Sequence, residues 1–488
     1  MNKILYKELK EENKMMIEQL YTGCLAQGAY YIEDNGEVAI IDPLREVQPY
    51  INKAQKNEAK IKYVFETHFH ADFVSGHIDL SAKTGAPIII GPTDAQHSYE
   101  AIHANDGQDF TLGNSILRVM HTPGHTMESI CILLIDEHGK QKALFTGDTL
   151  FIGDVGRPDL AQHIVNDLTQ EILAGHLFDS LRNKIMVLDD DIIVYPAHGA
   201  GSACGKMMSK ETSDTLGNQK KFNYALSTDL TKDMFIKEVL KGLMPPPGYF
   251  PKNVMMNIGG YDGIDTVLAR GNKALYPHEF EFQANELSAL VLDTRHASDF
   301  AKAHIPNSIN IGIDGSFAIW IGALVPDIKQ TILIVADAGR EEEVITRLAR
   351  VGYDNAIGYL KGGMQSWINE HKEIETVQSI SVQEFADIEQ NNPSIAILDV
   401  RKHSEYDSEH IVNAENFPLD TINEDYHQIK KEKEFFVHCA GGYRSMIFIS
   451  ILKARGYHHL INIDGGFNAI KESKAFSLTE FVCPTTLL

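Results

Sequence analysis

Four short segments in the N-terminal half of the sequence carry histidine or aspartate directly after a run of apolar residues. These segments are Thr67-His68-Phe69-His70-Ala71-Asp72-Phe73, Thr122-Pro123-Gly124-His125-Thr126, Thr146-Gly147-Asp148-Thr149-Leu150-Phe151 and Tyr195-Pro196-Ala197-His198-Gly199. Neutral imidazole and carboxylate are natural ligands for a borderline divalent metal. Loops that converge at one edge of a sheet can therefore assemble a metal site that no single loop could form.

A different chemistry is indicated nearer the C-terminus, where the apolar run Phe435 to Val437 leads into a glycine-containing loop and then a helical pattern. Cys439 opens this loop, so its sulfur faces backbone N–H groups, the positive end of the helix dipole and the guanidinium of Arg444. All three stabilise thiolate over thiol. We predict that Cys439 is an activated nucleophile and Arg444 its catalytic partner. The predicted substrate-binding residues of the loop are Ala440, Gly441, Gly442, Tyr443 and Ser445.

Strands must position these loops, because the chain alternates short β-branched runs with helical patterns. In the N-terminal half, the predicted strands are Val38 to Ile41, Tyr63 to Phe65, Ile88 to Ile90, Ser129 to Ile135, Ala143 to Phe145 and Ile192 to Tyr195. The ionisable residues follow directly after several of these strands, which is where open α/β folds place their sites.

The C-terminal half is a tandem duplication. Leu292 to Arg295 recurs as Leu398 to Arg401, and His304 to Ser308 recurs as His410 to Ala414. Each copy predicts a small α/β domain with a largely parallel sheet. We expect a first domain at residues 1–260, followed by the two copies at 261–375 and 376–488. A proline-rich segment, Met244 to Pro251, precedes the first boundary.

The first copy lacks the nucleophile of the second. A gapless alignment places Arg340 opposite Arg444 but Val335 opposite Cys439, and a shifted loop offers only Ala336, Asp337 or Ala338. The acidic run Glu341-Glu342-Glu343 follows directly and should repel anions. We therefore predict a catalytically inactive copy, retained as a spacer, a dimerisation surface or a docking platform.

Composition limits the classes of partner. The 488 residues carry a formal net charge of −23, which argues against nucleic acid and anionic membrane surfaces. No apolar run approaches the roughly 18 residues that span a bilayer, and Met1 to Leu20 is rich in charge where a signal peptide would be apolar. We expect a cytoplasmic protein. Its five scattered cysteines predict thiols rather than a disulfide framework.

The four N-terminal motifs resemble those of the metallo-β-lactamase superfamily, over roughly residues 15 to 250. The resemblance implies an α/β fold of the αββα sandwich type. In dinuclear members, the first motif reads His-x-His-x-Asp-His, and its Asp-His pair helps to hold a second metal. Here the residue after Asp72 is Phe73, which cannot coordinate a metal. This departure favours a mononuclear site.

Within that superfamily, the segment resembles the persulfide dioxygenase branch. The resemblance implies one Fe(II) per chain, held by His68, His125 and Asp148. Two imidazoles and a carboxylate on one face are typical of non-haem Fe(II) oxygenases. His70, Asp72 and His198 would then orient ligands or substrate through hydrogen bonds, or remain as residues with packing roles only.

Three further features near these motifs have two interpretations each. Tyr195 points its hydroxyl at the metal pocket or simply packs. Arg157, in a segment that resembles the Gly-Arg-x-Asp of the same branch, pairs with Asp159 or reaches a substrate carboxylate. Cys204 carries sulfur near the metal or is a small loop residue.

The loop from Cys439 to Arg444 resembles the six-position active-site loop of rhodaneses, which are sulfurtransferases. Related phosphatases use a loop one residue longer, so six positions favour sulfur over phosphate. Asp399 and Arg401 match the Asp-x-Arg motif of the same family and are expected to brace the loop. Each copy is therefore expected to be a rhodanese-like α/β domain with a mainly parallel sheet.

Taken whole, the chain resembles fused persulfide dioxygenase and rhodanese proteins with one degenerate and one active rhodanese domain. The resemblance implies sulfide detoxification in two steps. A low-molecular-weight thiol persulfide and O2 would give sulfite and thiol, and Cys439 would pass sulfur to sulfite to make thiosulfate, or use thiosulfate in reverse. We also expect a homo-oligomer, either a dimer or a tetramer.

Two alternatives remain at this stage. One is a metal-dependent thioesterase of the glyoxalase II type with an attached sulfurtransferase, which usually needs two metals and is disfavoured by Phe73. The other is a non-catalytic persulfide sensor or sulfur-carrier scaffold, which the degenerate copy suggests.

Overall fold

The structure is a computed structural model that describes residues 15–160, 168–243 and 245–483. The charged residues from Lys3 to Lys14, on which part of the expectation about the N-terminus rests, lie outside the described residues, as does Met244. The chain divides into two compact units, Met1–Ile264 and Asp265–Leu488.

The first unit contains two six-stranded sheets. The first sheet has the order β1-β2-β3-β4-β5-β6, and the second has the order β12-β11-β10-β9-β8-β7. The strands are β1 Met16–Thr22, β2 Gln27–Asp34, β3 Glu37–Ile41, β4 Lys60–Phe65, β5 Ile88–Ile90, β6 Ala101–His103, β7 Asp109–Leu112, β8 Ser115–His121, β9 Ile130–Ile135, β10 Gln141–Gly147, β11 Ile193–Pro196 and β12 Asp214–Thr215. Pairing is antiparallel from β1 to β3 and parallel from β3 to β6.

Side-chain alternation along these strands builds four layers. On β9, Ile132 and Leu134 pack in one cluster with Ile32 of β2 and Phe65 of β4, so the two sheets meet face to face. The alternate residues of each sheet turn outwards and are covered by helices. The helices of this unit are α1 Gln48–Lys56, α2 His77–Thr84, α3 Gln170–Ser180, α4 Leu216–Phe222, α5 Lys232–Leu240 and α6 Phe250–Gly259. The predicted αββα sandwich is confirmed.

The second unit contains two five-stranded sheets, one for each sequence repeat. Their orders are β13-β17-β16-β14-β15 and β18-β22-β21-β19-β20, and all their strand pairs are parallel. The strands are β13 Ala274–Leu275, β14 Leu290–Asp293, β15 Ile309–Asn310, β16 Ile332–Val335, β17 Ala356–Leu360, β18 Gln378–Ile380, β19 Ala396–Asp399, β20 Glu415–Asn416, β21 Phe435–His438 and β22 Leu460–Ile463. The identical strand order confirms the prediction of two α/β copies with parallel sheets.

Helices alternate with these strands. In the first repeat they are α7 Ile264–Gly271, α8 Pro277–Glu286, α9 Ala297–Lys302, α10 Phe317–Leu324, α11 Glu341–Arg350 and α12 Gly363–Asn369. In the second repeat they are α13 Val382–Asn391, α14 His403–Ser408, α15 Ile422–Asp425, α16 Tyr443–Ala454 and α17 Gly466–Ser473. None of the helices in the described ranges is both long enough and apolar enough to cross a membrane.

Candidate metal centre and cysteine loop

The first metal motif follows β4 and is held by Asp42, which directly follows β3. The Asp42 carboxylate accepts the Thr67 backbone N–H at 2.7 Å and the Thr67 hydroxyl at 2.8 Å. Because that hydroxyl already donates to Asp42, it accepts the Nδ1–H of His68 at 3.0 Å. The Nε2 atom of His68 is therefore left without a proton and free to bind a metal.

His125 is prepared in the same way. Its Nδ1 lies 2.8 Å from the backbone carbonyl oxygen of Arg157, which can only accept, so Nδ1 carries a proton and the neutral tautomer presents Nε2 to a metal. Gly156 makes this approach possible, because a Cβ atom there would lie 2.9 Å from His125 Nδ1 and closer still to the Asp148 carbonyl oxygen.

The free nitrogens converge on Asp148, which follows β10. His125 Nε2 lies 3.4 Å and His68 Nε2 lies 3.8 Å from Asp148 Oδ2. All three side chains are buried, and Oδ2 has no hydrogen-bond partner among the described residues. A buried carboxylate oxygen without a hydrogen-bond donor lowers the stability of the fold unless a cation binds to it. The donor set therefore fits a divalent metal with two imidazoles and one carboxylate.

Burial and neighbouring charge prepare these ligands further. Burial, together with the imidazole of His70, holds the pKa of His68 well below its usual range, which keeps it neutral. Burial alone would raise the pKa of Asp148, but the imidazoles of His198 and His68 lower it. Asp148 is therefore ionised at neutral pH.

His198 links the two carboxylates of the site. Its Nδ1 lies 2.8 Å from Asp148 Oδ1, and its Nε2 lies 2.8 Å from Asp72 Oδ2. Although burial disfavours the charged imidazole, these two carboxylates raise the pKa of His198 well above its usual value. By occupying Oδ1, His198 leaves Oδ2 of Asp148 facing the two free imidazole nitrogens.

His70 turns away from this group. Its Nε2 lies 3.2 Å from Asp42 Oδ1 and 3.7 Å from Glu66 Oε2. Burial raises the pKa of Glu66 to about 8, and the two carboxylates raise that of His70 against the effect of burial. Sequence reasoning missed Asp42 and Glu66, although both are ionisable residues that directly follow a strand, the same signal that identified the metal motifs.

Asn257 of α6 also supports the first metal motif and was missed. Its side-chain amide donates to the backbone carbonyl oxygens of His70 and Phe73, at 2.8 and 2.9 Å. Its side-chain oxygen accepts the Ser75 backbone N–H at 3.0 Å. No local sequence signal could have found this residue, because it lies more than 180 positions along the chain from the motif.

Cys204 lies in a second buried group with Asp72 and His198, whose ligand atoms are within 4.8 Å of one another. Burial and the nearby carboxylates raise the pKa of the Cys204 thiol well above its usual range. Cys204 is thus a protonated thiol close to the metal ligands.

Arg157 and Tyr195 both make structural contacts. The Arg157 guanidinium donates two bonds of 2.6 Å to the Asp159 carboxylate, and both side chains are buried. The ring of Tyr195 stacks on Phe145 at 5.4 Å and contacts Tyr30 edge-on at 5.5 Å, in the cluster between the two sheets.

In the cysteine loop, one backbone N–H and one side-chain hydroxyl lie close to the sulfur of Cys439. The backbone N–H of Gly442 donates to Cys439 Sγ at 3.1 Å, and Ser445 Oγ lies 3.7 Å from the same sulfur. Gly442 has a φ of 97°, a left-handed conformation that turns its N–H inwards and favours glycine. From the other side, the N-terminal turn of α17 holds the loop, since Phe467 N–H donates to the Cys439 carbonyl at 2.7 Å.

Arg444 is held beside this loop by Glu405. Its two terminal nitrogens donate to the two Glu405 carboxylate oxygens at 2.6 and 2.8 Å. Asp399 and Arg401 form a second, buried bidentate pair, with the Arg401 guanidinium 3.8 Å above the Phe467 ring. This pair braces the turn of α17 that holds Cys439.

The sheet register corrects the alignment of the first repeat. Asp293 pairs with Val335 as Asp399 pairs with His438, so Ala336, and not Val335, occupies the position of Cys439. The gapless alignment was wrong because the first loop is one residue shorter between its strand and Arg340.

The loop from Ala336 to Arg340 in the first repeat also differs in charge from the loop from Cys439 to Arg444. The N–H of Gly339, which has a φ of 87°, donates to Glu341 Oε2 at 2.9 Å. The Glu341 carboxylate thus accepts the N–H of Gly339, which corresponds to the Gly442 N–H that donates to Cys439 in the second repeat. Arg340 pairs with Asp314 and Glu343.

Comparison with known proteins agrees with this division. A family model described as the metallo-beta-lactamase superfamily matches residues 22–198, and one described as a rhodanese-like domain matches residues 277–370 and 381–473. A crystal structure of a metallo-beta-lactamase from Staphylococcus aureus subsp. aureus COL is 32% identical, with a TM-score of 0.61, and the match covers 72% of this chain and 99% of that one.

Two further relatives match part of the chain. A hydroxyacylglutathione hydrolase from Francisella tularensis subsp. novicida (strain U112) is 33% identical over 169 residues, which is 35% of this chain. The chain spans only 61% of that hydrolase. The structure of ETHE1 from Myxococcus xanthus is 26% identical, with a TM-score of 0.42, and the match covers 50% of this chain and 98% of that one.

Proposed function

Because this chain belongs to the metallo-β-lactamase superfamily and carries two rhodanese-like domains, we propose that it couples a persulfide dioxygenase to a sulfurtransferase. The first site would hold one Fe(II) through His68, His125 and Asp148. The second site would use Cys439. The substrates would be a low-molecular-weight thiol persulfide and O2, with thiosulfate as the final product.

One observation carries the oxygenase part of the proposal: the two histidines of the first motif, His68 and His70, lie in different groups of side chains. His68 joins His125 and Asp148, whereas His70 lies against Asp42 and Glu66. The donor set is then two imidazoles and one carboxylate, which suits non-haem Fe(II) and leaves coordination positions open. When bound there, iron would supply the redox chemistry and the open positions that dioxygen requires.

The residues of this chain prepare the site in two ways. Thr67 and the Arg157 carbonyl fix the tautomers of His68 and His125, so that both present an unprotonated nitrogen. His198 sits between Asp148 and Asp72 as a hydrogen-bonded imidazole that holds a proton. The net reaction consumes one persulfide, one O2 and one water and gives one thiol and one sulfite.

At the second site, Cys439 would carry the outer sulfur of a second persulfide. Sulfite attacks that sulfur, a new sulfur–sulfur bond forms, and the bond to Cys439 Sγ breaks with its electron pair retained as thiolate. The Gly442 N–H, 3.1 Å from Sγ, stabilises the returning charge. The sulfite made at the first site is thus the acceptor at the second.

A second candidate function is hydrolysis of a thioester at a dinuclear site. The similarity to a hydroxyacylglutathione hydrolase favours it. So does the buried group of Asp72, His198 and Cys204 beside the first three ligands, since such a hydrolase uses metal-activated water and usually two metals.

Metal analysis and oxygen uptake on one sample separate the two candidates. We expect about one iron per chain, and oxygen consumption when a defined persulfide of glutathione, coenzyme A or bacillithiol is added, with sulfite or thiosulfate as product. Two zinc ions per chain, no oxygen uptake and hydrolysis of S-lactoylglutathione would instead establish the hydrolase.

A further inference from the structure

Helix α16, which begins at the end of the Cys439 loop, is buried on all sides. Every residue from Ser445 to Leu452 is buried, although a helix that covers one face of a sheet normally leaves its outer face exposed. The first repeat supplies part of this covering. The backbone N–H of Asn310, at the end of edge strand β15, donates to Ser450 Oγ at 3.0 Å.

The first residue of α16 makes the most specific of these contacts. The hydroxyl of Tyr443 donates to the backbone carbonyl oxygen of Gly312, in the loop that follows β15, at 2.7 Å. Burial raises the pKa of Tyr443, so the hydroxyl keeps its proton and remains a donor at neutral pH. Tyr443 was predicted to bind substrate, but its hydroxyl is engaged by the first repeat.

Two glycines of the first repeat make room for the Tyr443 ring. A Cβ atom on Gly315 would lie 2.8 Å from Cε1 of Tyr443 and closer to Cζ and Cε2, and one on Gly312 would lie 3.3 Å from Cε2. Gly312 and Gly315 do not have left-handed φ angles, so their backbones would accept a larger residue. It is the ring of Tyr443 that excludes a side chain at Gly315.

The segment from Gly312 to Gly315 is itself held in place. Arg347 of α11 donates to the Ile313 carbonyl oxygen at 2.7 Å. At the far end of α16, the Nζ atom of Lys453 lies 3.1 Å from the carboxylate of Glu375, the last residue of the first copy as bounded above. The helix is therefore attached to the first repeat at its first residue, near its middle and near its last turn.

We infer that the degenerate repeat is a positioning element for the Cys439 loop, and that Gly312 and Gly315 form the seat for Tyr443 through which it acts. Tyr443 lies between Gly442, whose N–H donates to Cys439 Sγ, and Arg444. A displaced Tyr443 ring therefore moves the loop's principal donor and its cation together. This inference rests on the proposed sulfur transfer at Cys439, and it gives the inactive repeat a role in that reaction.

Gly315→Ala in the full-length protein tests the inference. The added methyl group would push the Tyr443 ring from its seat, and misplacement of a catalytic group by about 1 Å can cost on the order of a hundredfold. We expect kcat for sulfur transfer from thiosulfate to cyanide to fall at least about tenfold. Cys439 should also react more slowly with iodoacetamide, whereas oxygen uptake should not change. Ser316→Ala is the matched control, because Ser316 is the next residue and is exposed, and its side chain makes no capping hydrogen bond to α10.

A double-mutant cycle distinguishes positioning from general destabilisation. Tyr443→Leu removes the ring atoms that the Gly315 methyl group would meet, so Gly315→Ala should have little further effect in that background. Tyr443→Phe, which loses only the bond to Gly312, should lower kcat about threefold to tenfold with little change in KM. Full additivity of Gly315→Ala and Tyr443→Leu would overturn the inference, as would unchanged alkylation and transfer in Gly315→Ala.

The experiment also separates this inference from the proposed function. If the unmodified protein transfers no sulfur, the sulfurtransferase proposal fails. The alkylation rate of Cys439 still reports whether the first repeat positions the loop, since it requires no sulfur substrate.

Discussion

At the scale of single residues, the metal centre depends on the different partners of two histidines that are one residue apart. The Nε2 of His68 faces Asp148, whereas that of His70 faces Asp42 and Glu66. Removal of His68 would delete one of the three proposed ligands. Removal of His70 would delete a partner of two carboxylates and leave the proposed ligand set whole.

We therefore expect His68→Ala to abolish iron binding and oxygen uptake while sulfur transfer from thiosulfate to cyanide persists. His70→Gln, which keeps a hydrogen-bonding side chain of similar reach, should retain about one iron per chain and should lower oxygen uptake by less than about tenfold. Iron analysis and oxygen electrode measurements check both variants. Equal loss of metal in the two variants would mean that His70 is a ligand, which is the arrangement expected of the dinuclear hydrolase.

At the scale of elements, helix α6 shows how a distant segment fixes the first metal motif. Asn257 satisfies two carbonyl groups and one N–H of the loop that follows His68. One helical turn earlier, Asn253 is also fully buried, but its side chain has no hydrogen-bond partner within the described part of the chain. The two asparagines are thus a natural pair for comparison.

Asn257→Ala should destabilise the protein by about 3 kcal/mol, because a buried group that loses its partner costs roughly 1–3 kcal/mol and three groups are affected. Asn253→Ala should cost clearly less, since it leaves no group newly unpaired. Iron retention after dialysis against a chelator should fall only in Asn257→Ala. Thermal unfolding and metal content give the measurement, and similar effects of the two substitutions would contradict this role for Asn257.

The loops that follow β16 and β21 occupy the same place in two copies of one fold, yet only one can hold an activated sulfur. In the second copy the Gly442 N–H donates to Cys439, and in the first the Gly339 N–H donates to Glu341. We therefore expect the missing cysteine to be only part of the reason for the predicted inactivity of the first copy.

A cysteine placed at Ala336, in a Cys439→Ser background, should not restore sulfur transfer. The Gly339 N–H is taken by Glu341, and that carboxylate disfavours a thiolate and its anionic substrates. We expect the thiol introduced by Ala336→Cys to be alkylated by iodoacetamide at least about tenfold more slowly than Cys439 in the unmodified protein. Sulfur transfer in this variant would show that the missing cysteine alone, rather than the charge of the loop, accounts for the predicted inactivity of the first copy.

The sequence predicted those parts of the fold and site that depend on local pattern. The buried strand Ile88–Ile90, for example, was predicted with the bounds observed, because a short apolar run between polar loops is typical of a buried strand. Asn257 and the seat of Tyr443 on Gly312 were missed, because each pairs residues more than a hundred positions apart and neither leaves a local signal. The position of Ala336 required the sheet register.

For the whole molecule, the net charge of −23 matters because the proposed substrates are themselves anions. Persulfide, sulfite and thiosulfate must therefore be attracted locally. The backbone N–H groups at the N-terminal end of α16 would supply one positive region, although Glu405 already pairs with Arg444. A cation held by His68, His125 and Asp148 would supply another. We expect the same overall charge to let sulfite leave the surface between the two proposed steps, so that the intermediate passes through solvent.

Mixing two inactive variants tests that expectation. Cys439→Ser should consume oxygen at the unmodified rate but release sulfite in place of thiosulfate, and His68→Ala should consume no oxygen. Together, with a thiol persulfide and oxygen, they should form thiosulfate after a lag that shortens as the concentration of His68→Ala is raised, because sulfite must diffuse from one protein to the other. The Cys439→Ser protein alone sets the rate of non-enzymatic thiosulfate formation, which is subtracted. The expectation is contradicted if the mixture forms no more thiosulfate than Cys439→Ser alone, although His68→Ala forms thiosulfate when sulfite is added. Sulfite would then not leave the protein between the two reactions.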